Sequence, residues 1–427
     1  MLLIFLIYFA KRSKTHKISS HELNTSISDG LTEAASLHPI IDPLLCIGCG
    51  SCVSACPEKQ VLGLVHRKAT LVNPANCIGH GACKTACPEQ AIKLVFGSAT
   101  RGVEIPDVDP QYQTCVSGIY IAGELGGMGL IRNAIEQGRQ AIEFIAKDIK
   151  STPDSDALDC LIVGAGPAGL TASLGAKDLG LSYLTIDQDT IGGTISHFPK
   201  GKLVMTQAAT VPLVGKVKFG EIKKEPLMKF WLDTIAEHQL NINEQETLTA
   251  ITIEGGLKRV KTTNAEYLAK RVLLAIGRRG SPRKLNIQGE ELPKVVYRLS
   301  DPDEYRNKQV VVVGGGDSAI EAACSIAELN ATDGSPPKVS LSYRKDSFSR
   351  AKAKNRLRLE SLQEQGKLAI LFNSSPTKIT VKAVTIEQQH ESIEMPNDAM
   401  IICAGGILPT GLLKEIGVKV EVKYGEE

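Results

Sequence analysis

The sequence predicts an α/β protein in which two three-layer, Rossmann-like dinucleotide-binding domains follow a small cysteine-rich α+β module. Three observations carry that expectation. Two glycine-rich turns each stand between a strand and a helix, the second after a β-branched run. Seven of the eleven cysteines fall between Cys46 and Cys87, the pattern of metal ligation in a reducing compartment rather than of a disulfide framework. Thirty-nine glycines against a single Trp favour turn-rich α/β domains over an all-β sandwich, and 427 residues with 43% hydrophobic content can fill two or three cores. A net charge of +2 makes no bulk electrostatic case for nucleic acid.

The chain begins "MLLIFLIYFA", followed by "KRSKTHK". Ten apolar residues in a helix span only ~15 Å, about half of a hydrocarbon core. Charges follow the apolar run instead of preceding it, and no small-residue cleavage site comes after, so a signal peptide is disfavoured. Residues 1–12 are therefore expected to be a short membrane anchor, the alternative being a frayed apolar end of a soluble, cytoplasmic protein. The basic flank would leave the remainder on the cytoplasmic side. Residues 13–38, polar and without periodicity, read as a flexible linker.

Residues 39–98 form the cysteine module. "CIGCGSCVSACP", Cys46 to Pro57, has the C-x₂-C-x₂-C-x₃-C-P spacing of a bacterial two-cluster (dicluster) ferredoxin, which it resembles. A zinc site would use paired C-x-x-C units rather than this triple. The second run, "CIGHGACKTACP", keeps Cys77, Cys83, Cys87 and Pro88 but has His80 in place of a cysteine. By the crossed ligation rule, one [4Fe–4S] cluster takes Cys46, Cys49, Cys52 and Cys87. The other takes Cys56, Cys77 and Cys83, with His80 at the fourth corner. Either His80 ligates iron, or the corner is vacant and the second Fe–S cluster is [3Fe–4S] rather than [4Fe–4S]; a degenerate, empty second site is the remaining alternative, disfavoured because three cysteines and the proline persist.

In "ALDCLIVGAGPAGLTASLGAKDLGLSYLTID", Gly164, Gly166 and Gly169 form G-x-G-x-x-G. Pro167 and Ala168 lie inside the turn, and Asp187 lies near the end of the following strand, where an acid reaches a ribose hydroxyl. In "NKQVVVVGGGDSAIEAACSIAE", Gly314, Gly316 and Ala319 repeat the pattern, with Gly315, Asp317 and Ser318 beside them. Its second strand ends in Arg344 and Lys345, with Arg350 nearby. Basic groups there pair with a 2′-phosphate, so this site is read as an NADPH site.

Two such units joined by "AIGRR", Ala275 to Arg279, resemble the thioredoxin-reductase-like pyridine-nucleotide flavoproteins over about residues 157–427. The resemblance implies FAD in the first site, contacted also by Gly193, Ala275 and Gly277, and NADPH in the second. Family members end with a strand like "PGIYAAGD". This chain carries its counterpart at the front, in "CVSGIYIAGELGGMGLIRNAIEQGRQAIEFIA", with Gly123 and Glu124 in the turn. The FAD domain is thus expected to be circularly permuted, which nearby domain termini make tolerable. The implied boundaries are 101–150 for the closing segment, 157–292 for the FAD domain, 293–396 for the NADPH domain and 397–427 for a return to the FAD domain.

The family's dithiol is missing. "VVYRLSDPDEYRNK" contains no cysteine, and Ala168 stands where bacillithiol-disulfide-reductase-like relatives carry one. Cys160 and Cys324 read as core residues, and Cys115 and Cys403 also lie in apolar surroundings. His197 in "SHFPKGK" reads as structural, with a place beside the flavin as the alternative. The expected function is an NADPH-dependent FAD/iron–sulfur oxidoreductase passing electrons from NADPH through FAD to two clusters. Its acceptor or donor is a ferredoxin-like carrier, a quinone or a partner enzyme, and a homodimer is one expected assembly. The alternatives are an electron-transfer subunit like the small subunit of glutamate synthase, or a redox sensor without turnover.

Overall fold

In the computed structural model, residues 2–28, 34, 37–58, 60–77, 79, 81–98, 102–127, 129–149, 156–205, 208–278, 280–330, 337–348, 351–389 and 391–425 are described. The chain divides into two compact units, one of residues 1–105, 127–129 and 420–427, the other of residues 106–126 and 130–419.

In the first unit, Leu2–Ser28 form a single helix. The linker expected over 13–38 is therefore helical as far as Ser28. Its Ser19 lies against Gly63, where a Cβ would come within 2.5 Å of the Ser19 hydroxyl, so the glycine makes room for the helix. No helix among the described residues is long and apolar enough to cross a membrane. The anchor expected over 1–12 gains no support, because the apolar run gives way at once to a charged, polar stretch of the same helix. Leu62–Val65 and Lys68–Leu71 form a hairpin through His66 and Arg67, both left-handed (φ 47 and 66), as a two-residue I′ turn requires. Strand His38–Ile41 pairs antiparallel with Ile92–Val95.

Two larger sheets organise the second unit. In the first, Ile242–Asn243, Tyr183–Ile186, Leu158–Val163 and Glu266–Leu274 run parallel in that order, followed by the antiparallel Leu257–Thr262 and Leu248–Glu254. Ile119–Ile121, wholly buried, adds in parallel to the C-terminal part of Glu266–Leu274, pairing Ile119 with Val272. Helix Ile131–Ile149 then packs on helix Pro167–Asp178 around buried Ala141, Ile142 and Ala172. The strand and helix that precede the glycine turn in sequence therefore complete its domain.

The second sheet is parallel throughout, in the order Val295–Val296, Ala399–Ile402, Val310–Val313, Val339–Tyr343, Leu368–Phe372. Its centre, four consecutive valines buried on both faces, is the composition of a covered parallel sheet. Ala399–Ile402 is an internal strand here, so the expected boundary at 396 falls too early. Residues 420–427 group with the first unit rather than returning to the FAD domain. An antiparallel sheet of Ser374–Ile379, Ala383–Gln388 and Glu391–Pro396 extends this domain.

Candidate functional site

The cysteine module builds its ligand cages from two matching turns. Helices Ser51–Ala55 and Ala82–Thr85 each start from a glycine held left-handed, Gly50 (φ 81) and Gly81 (φ 77). A small cavity is lined by Cys46, Cys49, Cys52 and Cys87, together with Pro88 and Ala91. That is the crossed set expected for the first cluster, three thiols from the first run and one from the second. Backbone N–H groups of Ala69 and Ala91 donate to the sulfurs of Cys46 and Cys87 at 3.4 and 3.3 Å, the kind of contact that steadies a cluster thiolate. Cys56, Cys77 and Cys83 make up the second set, near enough to influence one another electrostatically. Burial pushes the free thiols of Cys52 and Cys83 up to about 11, so iron must displace a proton at each. Among the described residues no three His, Cys, Asp or Glu side chains converge as they would on a single metal ion. Four sulfurs ringing a cavity suit a cluster of several irons instead. His80 lies outside the described residues.

In the second unit, Gly164 sits at φ +109, and a Cβ there would be 2.4 Å from the Ala275 carbonyl. Only glycine lets the strand turn so close to the crossover. A Cβ on Gly169 would lie 1.7 Å from the Gly164 carbonyl, which holds helix against strand, whereas a Cβ on Gly166 would meet only Gly193 Cα, at an ordinary contact distance of 3.8 Å. Helix Pro167–Asp178 begins there with Pro167 at its first position. A helix N-terminus with an unobstructed glycine fits a pyrophosphate. Gly123 N donates to Gln137 Oε1 at 2.8 Å, fixing the front turn, and Glu124 Oε2 lies 4.0 Å from where a Cβ on Gly277 would stand. Glu124 and the crossover thus meet beside the glycine turn, as the permuted reading requires.

Asp187 is 7% exposed, and its two oxygens accept from Ala165 N (2.6 Å) and Asp189 N (2.8 Å). Burial raises its pKa while those backbone bonds oppose the rise. The expected ribose acid therefore also braces the glycine turn. Sequence reasoning missed Asp189 and Arg298. Asp189 Oδ2 accepts from Arg298 Nη2 at 2.8 Å and stands 3.2 Å from His197 Nε2. The only signal was a second acid two residues after Asp187; Arg298 lies too far along the chain to suggest itself. His197 thus faces a carboxylate that Arg298 also engages.

At the second fingerprint, a Cβ on Gly314 (φ +143) would be 2.5 Å from the Cys403 carbonyl, and one on Gly315 would meet the Tyr343 ring at 2.1 Å. Gly316 has nothing within 4 Å of its Cβ position, again leaving room for phosphates, and Ser318 is exposed beside it. Asp317 accepts from Lys352 N (2.9 Å) and Asn355 Nδ2 (2.7 Å), which ties the helix start to the following segment. Arg344 and Lys345 are exposed where strand Val339–Tyr343 ends. Arg350 and Arg279 lie outside the described residues.

The remaining thiols divide by burial. Cys160 and Cys324 are fully buried, and burial pushes them up to about 12 and about 11. Burial raises Cys403 to about 12 as well. Cys115, expected in an apolar setting, is exposed and accepts from Lys419 N at 3.3 Å.

Residues 161–425 match the family described as pyridine nucleotide-disulphide oxidoreductase, and residues 38–88 match the 4Fe-4S dicluster domain. The chain is 31% identical to the ferredoxin–NADP reductase of Ignicoccus hospitalis, an alignment covering 62% of this chain and 83% of that protein. It is 29% identical to the ferredoxin–NADP reductase of Thermus thermophilus, over 62% of this chain and 78% of the relative. Among solved structures, the bacillithiol disulfide reductase Bdr of Staphylococcus aureus shares the fold at a TM-score of 0.50 and 24% identity, over 62% of this chain and 81% of that one.

Proposed function

The chain belongs to the pyridine nucleotide-disulphide oxidoreductase family, and from that premise we propose that it exchanges electrons between NADPH and its own iron–sulfur module. It is a flavoprotein oxidoreductase of the thioredoxin-reductase-like kind joined to a 4Fe-4S dicluster domain. The relatives named ferredoxin–NADP reductase suggest a ferredoxin as partner. Here a ferredoxin-like module is part of the same chain. When bound, FAD accepts a hydride from NADPH and releases electrons singly, and iron–sulfur clusters carry single electrons.

The observation that carries the reading is a contrast in sulfur. The nucleotide unit offers no thiol pair in its glycine turn or ahead of its second fingerprint: Ala168 is buried, residues 295–308 lack cysteine, and Cys160 and Cys324 are buried with raised pKa values. The cysteine module meanwhile rings a cavity with Cys46, Cys49, Cys52 and Cys87. In this reading the protein residues bind and orient. The turn at Gly164–Gly169 receives the FAD pyrophosphate, and Gly123, Glu124 and Gly277 close over the same site. Gly316 receives the coenzyme phosphates, and Arg344 and Lys345 hold its 2′-phosphate. The last acceptor lies outside the chain, as a carrier protein, a quinone or a partner enzyme.

Anaerobic titration of the purified protein with NADPH tests this. Bleaching of the flavin should be accompanied by EPR signals of reduced clusters. Flavin that bleaches while dithionite-reducible clusters stay oxidised would overturn the proposal.

A further inference from the structure

Beyond the end of strand Val339–Tyr343 lies an open cavity of about 520 Å³, lined by Arg344, Asn373, Ser375, Glu387 and Gln389. Small-molecule sites fall in this size range. The cavity is built from two places in the sequence. Arg344 follows the second strand of the fingerprint, where the adenosine ribose of a dinucleotide comes to rest. The other four residues belong to the hairpin of Ser374–Ile379 and Ala383–Gln388 and its flanks. The Asn373 N–H donates to the Lys345 carbonyl at 3.0 Å, which joins hairpin to strand end. Ser375 and Glu387 are directly opposite in the hairpin register and both exposed, so their side chains share one face. Asn373 (φ 49) stands where strand Leu368–Phe372 passes into the hairpin, and the left-handed backbone of Gln389 (φ 50) belongs to the tight turn that follows Gln388, which pairs with Glu391.

The cavity therefore carries a guanidinium and a carboxylate together. Among the described residues no ion pair joins Arg344 to Glu387, so each charge is available to a third group. The usual fingerprint places its ribose acid at the end of the second strand; this chain has Arg344 and Lys345 there. We infer that Glu387 is a second coenzyme-discriminating residue, accepting the 2′-hydroxyl of NADH and opposing the 2′-phosphate of NADPH. The coenzyme preference is then set by the balance of Arg344 against Glu387, and the site admits both coenzymes. Ser375 and Asn373 supply neutral donors to either group. The inference rests on reading this second dinucleotide site as the NADPH site.

The test uses the full chain and two probes that carry only the adenosine end, 2′,5′-ADP and 5′-AMP, with affinities from titration calorimetry. Glu387→Gln removes a like charge from beside the phosphate and leaves the hydroxyl only a neutral amide oxygen, a weaker acceptor than the carboxylate. It should tighten 2′,5′-ADP roughly tenfold and weaken 5′-AMP several-fold. A ratio of the two affinities unchanged within about twofold overturns the inference. Glu387→Ala repeats the test without a side-chain amide, and a melting curve for each variant checks folding. Arg344→Gln tests the underlying reading separately. It should cost 2′,5′-ADP at least about tenfold while sparing 5′-AMP. If Arg344→Gln behaves so and the Glu387 variants do nothing, the inference fails and the NADPH reading stands. If Arg344→Gln has no selective effect, the NADPH reading itself fails.

Discussion

Replacing Gly138 with Ala probes the joint between the front segment and the flavin site. Gly138 is buried in helix Ile131–Ile149, and a Cβ there would lie 2.1 Å from the Ala168 carbonyl oxygen and 3.0 Å from Ala168 Cα. Carbon–oxygen contacts settle near about 3.3 Å, so the gap must open by roughly 1 Å. The obstacle is backbone, which cannot swing aside. In a free helix, Gly→Ala would stabilise by about 1 kcal/mol. Overpacking costs about 1–3 kcal/mol, so the net is a loss of up to about 2 kcal/mol, or at most roughly 4–8 °C in Tm for a domain of this size. The larger effect falls on the cofactor, because Ala168 belongs to the turn expected to hold the FAD pyrophosphate. A 1 Å shift takes N–H donors beyond hydrogen-bond range, and losing one charge-assisted bond costs about 1.5–3 kcal/mol, roughly tenfold to a hundredfold in affinity. The assay is flavin content after gel filtration, with a fluorescence titration of FAD and a melting curve. Full flavin content with a raised Tm would refute the reasoning, since it would mean the front helix does not bear on the glycine turn.

Three further outcomes are expected. Arg344→Ala with Lys345→Ala should weaken NADPH at least about tenfold more than NADH; equal losses in steady-state KM would contradict a 2′-phosphate contact. Cys87→Ser should resemble Cys49→Ser in its EPR spectrum and iron content, and differ from Cys83→Ser, although Cys87 and Cys83 share a sequence run. Matching spectra for Cys87→Ser and Cys83→Ser would sink the crossed assignment. Asp148 accepts from Arg271 Nε at 2.5 Å and Tyr120 Oη at 2.6 Å, and the guanidinium holds its carboxyl below the ordinary carboxylate value. Its stabilising contribution is thus full at neutral pH and is lost as pH falls through that depressed value, below about 4. The Tm gap between the protein and Asp148→Asn should stay level from about pH 6 to 8 and shrink below about pH 4; a gap constant into that acid range would exclude this linkage.

What could be read in the sequence was whatever sterics or ligand chemistry dictates locally. The turns at Gly164 and Gly314 admit no side chain, and their spacing says so. The cysteine runs carry their crossed ligation in the spacing, and "GIYIAGE" kept its strand-and-turn pattern in an unexpected position. The rest depended on distant partners. Nothing in the polar stretch before Ser28 shows helical periodicity, because its helix rests on the hairpin at Gly63. "AMII" at 399–402 is buried on both faces and has no alternation to say which sheet it enters. Glu387 reaches the coenzyme cavity from a hairpin whose register no local pattern announces.

The front strand Ile119–Ile121 also sets a timetable. Its partner, Val272–Leu274, lies about 150 residues downstream. At about 5–20 residues per second of synthesis, a strand that is fully buried in the native sheet waits roughly 8–30 s on the ribosome before that sheet can form. The cysteine module needs no such wait: its hairpin and its outer strand pair are made within residues 38–95. Iron can therefore be taken up while the flavin domain is still incomplete, and the exposed strand in that interval makes slow elongation after residue 121 the step most prone to aggregation.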